Sequence, residues 1–111
     1  MYNKYGNKKT IIDNITFDSK AEANRYCELK MLLKGKVINA LVLQPQYLLQ
    51  EPFKDFSGKK QRAITYVSDF EYLENGKMVV EDVKGMKTDV YKLKKKLFLF
   101  KYPHVDFREI N

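Results

Sequence analysis

The chain has 111 residues, enough for one domain with a single modest core. With 44% apolar and 14% aromatic residues it excludes a disordered polymer, and no run approaches the roughly 18 apolar residues of a membrane span. Its 21 Lys and Arg against 14 Asp and Glu leave a net charge of +7, which draws a small protein to polyanions, with nucleic acid the default partner and no membrane partner expected.

Residues 1–10 are basic and polar, and they predict a flexible arm, either frayed or lying along a phosphate backbone. They lack the apolar segment of a secretory signal. Residues 11–17 predict a short strand or hairpin around Asp13-Asn14. Ser19-Lys-Ala-Glu22 is a capping box, so a helix is expected from Ser19 to about Lys34, stopping at Gly35. At about 100° per residue its apolar stripe is Glu22, Tyr26, Leu29 and Leu33. Glu22 therefore has two readings of equal standing: a cap residue, or an acid pointing inward. Cys27, the only cysteine, excludes an internal disulfide, suits a reducing cytoplasm and reads as a buried core thiol. One cysteine and one histidine, His104, cannot build a zinc site with the usual ligands.

Val37 to Leu43 leads into a strand, and Gln44 to Gln50 reads as an edge strand because Pro45 cannot donate to a central ladder. Residues 51–61 carry turn signals centred on Ser57-Gly58. Two β-rich runs then follow, 62–73 and 77–84, joined by Asn75-Gly76. Asn-Gly between such runs predicts a type I′ hairpin, which needs positive φ at both central residues. Glu74 then faces Lys77, Asp69 faces Asp82, and Lys84 shares their side of the sheet. A three-residue turn would instead separate the two aspartates onto opposite faces.

Thr88 is an N-cap candidate for a second helix over 89–102. Val90, Leu93, Leu97 and Phe100 are its expected core stripe, with Lys92, Lys95 and Lys96 opposite. Such a run serves either as a solvated face or as a phosphate contact. The remaining apolar residues of the helix, Phe98 and Leu99 among them, suit either packing under the N-terminal arm or a homodimer interface. Pro103 ends the helix, and 105–110 alternates as a last strand. The resulting order is that of a mixed sheet flanked by helices, an α/β fold in one domain.

Two opposed carboxylates are costly as plain structure. At about 5 Å and an effective dielectric near 20 they repel by roughly 3 kcal/mol. A proton, a lysine or a divalent cation relieves that repulsion. Two acids and one lysine suit metal-assisted phosphodiester hydrolysis, whereas no Ser-His or Cys-His constellation is present for a peptidase.

Asp69 followed after a hairpin by Asp82-Val83-Lys84 resembles the Asp…Asp/Glu-x-Lys signature of the PD-(D/E)XK, or restriction-endonuclease-like, superfamily. Phe17-Asp-Ser-Lys-Ala-Glu22 resembles the first-helix acid of Holliday-junction resolvases. Lys4-Tyr-Gly-Asn-Lys-Lys, Leu43-Gln-Pro-Gln-Tyr and Val80-Glu-Asp-Val-Lys-Gly-Met-Lys-Thr together look like a small phage-encoded branch, over nearly the whole chain. The resemblance implies an α-β-β-β-α-β core and a metal-dependent DNA endonuclease of the cytoplasm, acting on duplex or branched DNA in a bacterium or a phage-infected host. It implies Mg²⁺ or Mn²⁺ on Asp69, Asp82 and the backbone carbonyl of Val83. Glu22 would assist directly or through water, and Lys84 would be catalytic. Lys87, Lys92, Lys95 and Lys96 are the expected DNA contacts, and a homodimer is expected for cutting both strands. One departure is Ser68 where the superfamily often has proline before the first aspartate. Glu81 alternates to the other face beside Phe70 and is assigned to structure or to supporting the metal ligands from behind. The alternative function is a non-catalytic basic DNA-binding or phage accessory protein on the same kind of fold.

Overall fold

The computed structural model describes residues 9–111. The predicted N-terminal arm lies for the most part outside them, and Thr10 already belongs to a strand. β1 (Thr10–Ile12) and β2 (Ile15–Phe17) form a hairpin whose turn residues, Asp13 and Asn14, have φ of 54° and 63°. α1 (Lys20–Lys34) follows, with Ser19 as N-cap accepting the Glu22 N–H at 3.1 Å. Its buried residues are Glu22, Ala23, Tyr26 and Leu29, with Leu33 half-buried against the core. Cys27, expected in the core, is exposed: one residue along from Tyr26, it is turned about 100° from that ring and lies just past the edge of the buried stripe.

The central sheet is built from β3 (Asn39–Leu43), β8 (Phe70–Glu74), β9 (Lys77–Val83) and β10 (Asp106–Ile110), in the spatial order β10-β9-β8-β3. β10 runs parallel to β9, and the other neighbours are antiparallel. The β8–β9 turn has φ of 54° at Asn75 and 76° at Gly76 and pairs Glu74 with Lys77, the register that the Asn-Gly turn predicts. With α2 (Asp89–Lys101), the helices and central strands follow one another as α1, β3, β8, β9, α2, β10. The architecture is mixed α/β.

Successive residues of a strand point to opposite faces. On β9, Val79 joins the cluster of Phe17, Ala23, Tyr26, Leu29, Ile38, Phe70 and Tyr72. Val80 joins Tyr47, Tyr66, Tyr91 and Phe98. α1 and α2 therefore cover opposite faces of the sheet. Among the described residues, no helix is long and apolar enough to cross a membrane.

Two further expectations need correction. Residues 62–73 are not one strand. β7 (Ile64–Val67) pairs with β4 (Gln46–Gln50), and the chain changes partner before β8. At the break the Ser68 N–H bonds to the Pro45 carbonyl, while the Asp69 N–H bonds to Glu81 and its carbonyl accepts from Gln44. Beyond β4 and β7, β5 (Phe53–Lys54) and β6 (Lys60–Gln61) continue the same antiparallel arm outward.

The second correction concerns α2. Tyr91 and Phe98 are its buried residues, whereas Val90, Leu93, Leu97 and Phe100 are 63%, 60%, 41% and 87% exposed. Two faces of this helix are apolar at helical spacing. The aromatic cluster of Tyr47, Tyr66 and Phe107 selects the one that offers rings, and Phe98 meets its neighbours there edge-on or tilted, with ring centres 4.8–5.8 Å apart.

Candidate active site

The partner change places Asp69 at the mouth of the sheet, half-buried, one step beyond the Phe70–Glu81 pair. Extending that register sets it opposite Asp82, which is buried on β9. Val83 donates its backbone N–H to Asp69 Oδ2 at 2.6 Å. Tyr66 reaches across from β7 and donates its hydroxyl to Asp82 Oδ2. Lys84 Nζ lies 3.0 Å from the other oxygen, Oδ1. Among the described residues Oδ1 nevertheless accepts no hydrogen bond of ordinary geometry, so this contact is an ion pair alone. The ammonium also sits 4.6 Å from the centre of the Tyr91 ring, a cation–π contact with the start of α2.

Glu22 enters from the first turn of α1. It is buried, and its carboxyl group shares one small cleft with that of Asp69. Ile15, Thr16, Phe17, Leu43 and Gln44 line the same cleft. Burial, then the charges of Asp82 and Glu22, push the Asp69 carboxyl up to about 8 against the pull of the Val83 N–H. Burial and the neighbouring Asp18 raise Glu22 as well. Three acids therefore crowd one end of the sheet, where a bare anionic cluster is unfavourable.

The residue types fit a hard divalent cation, which takes oxygen ligands and commonly uses only one or two carboxylates alongside water. Asp82 Oδ1, buried and lacking a hydrogen bond, is the oxygen best suited to such an ion. The fit is one of donor chemistry. Among the described residues no three His, Cys, Asp or Glu side chains stand in a geometry that could hold a metal as they are placed.

Glu81 points to the α1 face, where Arg25 grips it with a fork of two bonds, 2.8 Å from Nε and 2.6 Å from Nη2, and Tyr72 donates to it. It is fully buried and fully partnered.

The four lysines expected to contact DNA divide into two pairs. Lys87 and Lys95 each lie 3.2 Å from Glu109 Oε1, so they are engaged internally, while Lys92 and Lys96 are exposed. With Tyr91, Leu99 and Glu109 all four line one open basic cleft beside α2.

Three residues of the site escaped the sequence reading. Tyr66 and Tyr91 contact Asp82 and Lys84 directly, and Glu109 accepts the Tyr91 hydroxyl at 2.6 Å. Alternation along residues 64–67 was the available signal for Tyr66. For Tyr91 there was none, because it lies on the helix face opposite the expected stripe.

The chain belongs to the family described as "Protein of unknown function (DUF1064)", whose model matches residues 2–110. A comparison with curated proteins found no match.

Proposed function

We propose that this protein is a metal-dependent DNA endonuclease on a restriction-endonuclease-like core. The observation that carries the reading is the meeting of Glu22, Asp69, Asp82 and Lys84, from three separate stretches of the chain, at one end of the central sheet. The chain order α1, β3, β8, β9, α2, β10 agrees with the α-β-β-β-α-β core of that superfamily, with the arm from β4 to β7 inserted after the first strand.

In this reading Asp69, Asp82 and the Val83 carbonyl hold Mg²⁺ or Mn²⁺, with Glu22 in reach directly or through water. When bound, such an ion would acidify a water and offset charge developing on the phosphorus oxygens. The chain supplies the rest. Tyr66 fixes the rotation of the Asp82 carboxylate, and the Val83 N–H fixes that of Asp69. Lys84, held between Asp82 and the Tyr91 ring, is placed to orient or deprotonate the attacking water or to stabilise the transition-state oxyanion. Lys92 and Lys96 meet the phosphate backbone, and Lys87 and Lys95 join them where a phosphate outcompetes Glu109. The test is divalent-dependent nicking of linear and branched DNA, compared with a K84A protein that still binds.

A second reading, a non-catalytic DNA-binding protein, is favoured by one observation: Lys84 already sits on Asp82, as in a site whose charges are balanced internally. Binding without cleavage by the wild-type protein in Mg²⁺ or Mn²⁺ would select it.

Two copies would place two such sites on antiparallel backbones. The exposed row Val90, Leu93, Leu97 and Phe100 has the spacing of a helix-pairing seam. Lys94, Lys96 and Lys101 flank it, so two copies repel until phosphates neutralise them. Light scattering is expected to show a monomer alone and a dimer on DNA. A monomer on DNA that yields only single-strand nicks defeats the dimer and leaves the site intact.

A further inference from the structure

The arm formed by β5 and β6 carries a feature that the site does not use. Phe56, at its tip, is 109% exposed. Solvent exposure of a whole aromatic ring is unfavourable, by about 1.5–3 kcal/mol relative to burial. A loose loop would let the ring fold back, but this turn is tied down. The Asp55 N–H bonds to the Lys59 carbonyl and the Gly58 N–H to the Asp55 carbonyl, both at 2.9 Å. The Asp55 carboxylate accepts from the N–H groups of Ser57 and Lys59, from the Ser57 hydroxyl and from the Gln61 amide, at 2.6–3.1 Å. Gly58, at φ 85°, supplies the left-handed step that closes the turn. Asp55 thus spends its charge inside the turn and holds Phe56 outward.

The flanks of that ring are basic. Lys54 is directly opposite Lys60 on the paired strands, and Lys59 and Arg62 lie beside them, all exposed. Directly opposed like charges destabilise a hairpin. Lysines alone would protect an edge strand from aggregation, but that use does not call for a rigid, exposed aromatic between them. An aromatic wedge with cations on either side matches a nucleic acid: bases offer a π-face and phosphates offer the counter-charge.

We propose that Phe56 is a stacking wedge for an unpaired or unstacked base, and that this arm makes the protein select branched or locally open DNA over intact duplex. The inference rests on the DNA reading and deepens it. Inserting a ring into a continuous duplex costs the unstacking of a base step, whereas a branch point or a gap presents an open stack already. At about 3.3 Å per residue the arm reaches up to roughly 36 Å, nine residues from Asp69 to Lys60 and two more from its partner Lys54 to Phe56. With about 3.4 Å per nucleotide along each strand, the wedge therefore acts within about eleven nucleotides of the cleaved bond.

The experiment measures binding of the full-length protein, by fluorescence anisotropy without divalent ions, to a four-way junction, a gapped duplex and an intact duplex. F56A, F56W and K54A/K60A are measured alongside, with 2-aminopurine placed at the open step. Because the Phe56 ring is wholly exposed, F56A is expected to keep the wild-type circular dichroism and Tm. The wild type should prefer open DNA, and F56A should lose that preference by about 5- to 150-fold, the range of one base–aromatic stack, with duplex binding unchanged. F56W should retain the preference, and the 2-aminopurine signal should respond to the wild type and F56W but not to F56A. K54A/K60A should weaken all three DNAs together and lower the salt slope by about 1.8. An F56A protein that discriminates like the wild type overturns the wedge while leaving the DNA reading in place. Absence of binding to every DNA overturns both.

Discussion

Val83 donates its backbone N–H to Asp69 Oδ2 at 2.6 Å, so the strand that carries one acid of the site also orients the other. The bond works against the burial and the neighbouring charges that push the Asp69 carboxyl up. D69N keeps an oxygen for the Val83 N–H and is neutral without the proton that Asp69, pushed up to about 8, must take up to stay in this crowded site at neutral pH. It is therefore expected to raise Tm in the absence of divalent ions and to abolish the Tm increase that Mg²⁺ or Mn²⁺ gives the wild type. Thermal melts with and without 5–10 mM metal, a conventional assay range, check this. A D69N protein still stabilised by the metal to the wild-type extent would remove Asp69 from the ligand set.

Tyr66 is the only donor on Asp82 Oδ2 among the described residues, and both groups are buried. Y66F leaves the ring packed against Phe98 and Tyr91 but strands a buried carboxylate oxygen. Such a loss costs about 1–3 kcal/mol in stability. Loss of an orienting partner commonly weakens metal affinity about 10- to 100-fold. The shift should appear as a higher metal concentration at half-maximal thermal stabilisation, with the fold intact by circular dichroism.

Glu109 provides the pH prediction. The Tyr91 hydroxyl, then Lys95 and Lys87, hold its carboxyl down at about 2 from an ordinary value of 4.5. A depressed folded-state value gives stability that is present above about 4.5 and is lost as the pH falls through about 2. E109Q should therefore be less stable than the wild type at pH 7, by about 2 kcal/mol for bonds to a charged acceptor, and should match it near pH 2. It also releases Lys87 and Lys95, so E109Q should bind DNA more tightly at low salt and show a steeper salt slope. Equal stability of the two proteins at pH 7 would leave Glu109 a surface acid of no consequence.

The parts of the fold that were legible in the sequence are those fixed locally. Ser19 caps α1 through the Glu22 N–H, and Asn75-Gly76 sets the β8–β9 register through two positive φ values. That register alone brings Asp69, Asp82 and Lys84 to one end of the sheet. What could not be read depends on distant partners. The break at Ser68–Asp69 exists because Pro45 and Gln44, more than twenty residues upstream, bond to those two residues. The buried face of α2 was decided by Tyr47, Tyr66 and Phe107 between two apolar stripes of similar strength. Periodicity within one helix cannot weigh partners that lie outside it.

The most direct test of the central claim is cleavage of supercoiled plasmid by wild type and K84A at equal DNA occupancy, with Mg²⁺, with Mn²⁺ and with EDTA. The account predicts nicking by the wild type with either metal, none with EDTA, and a K84A rate lower by at least about 100-fold with DNA affinity retained. Cleavage by K84A at the wild-type rate, or cleavage unaffected by EDTA, would contradict it.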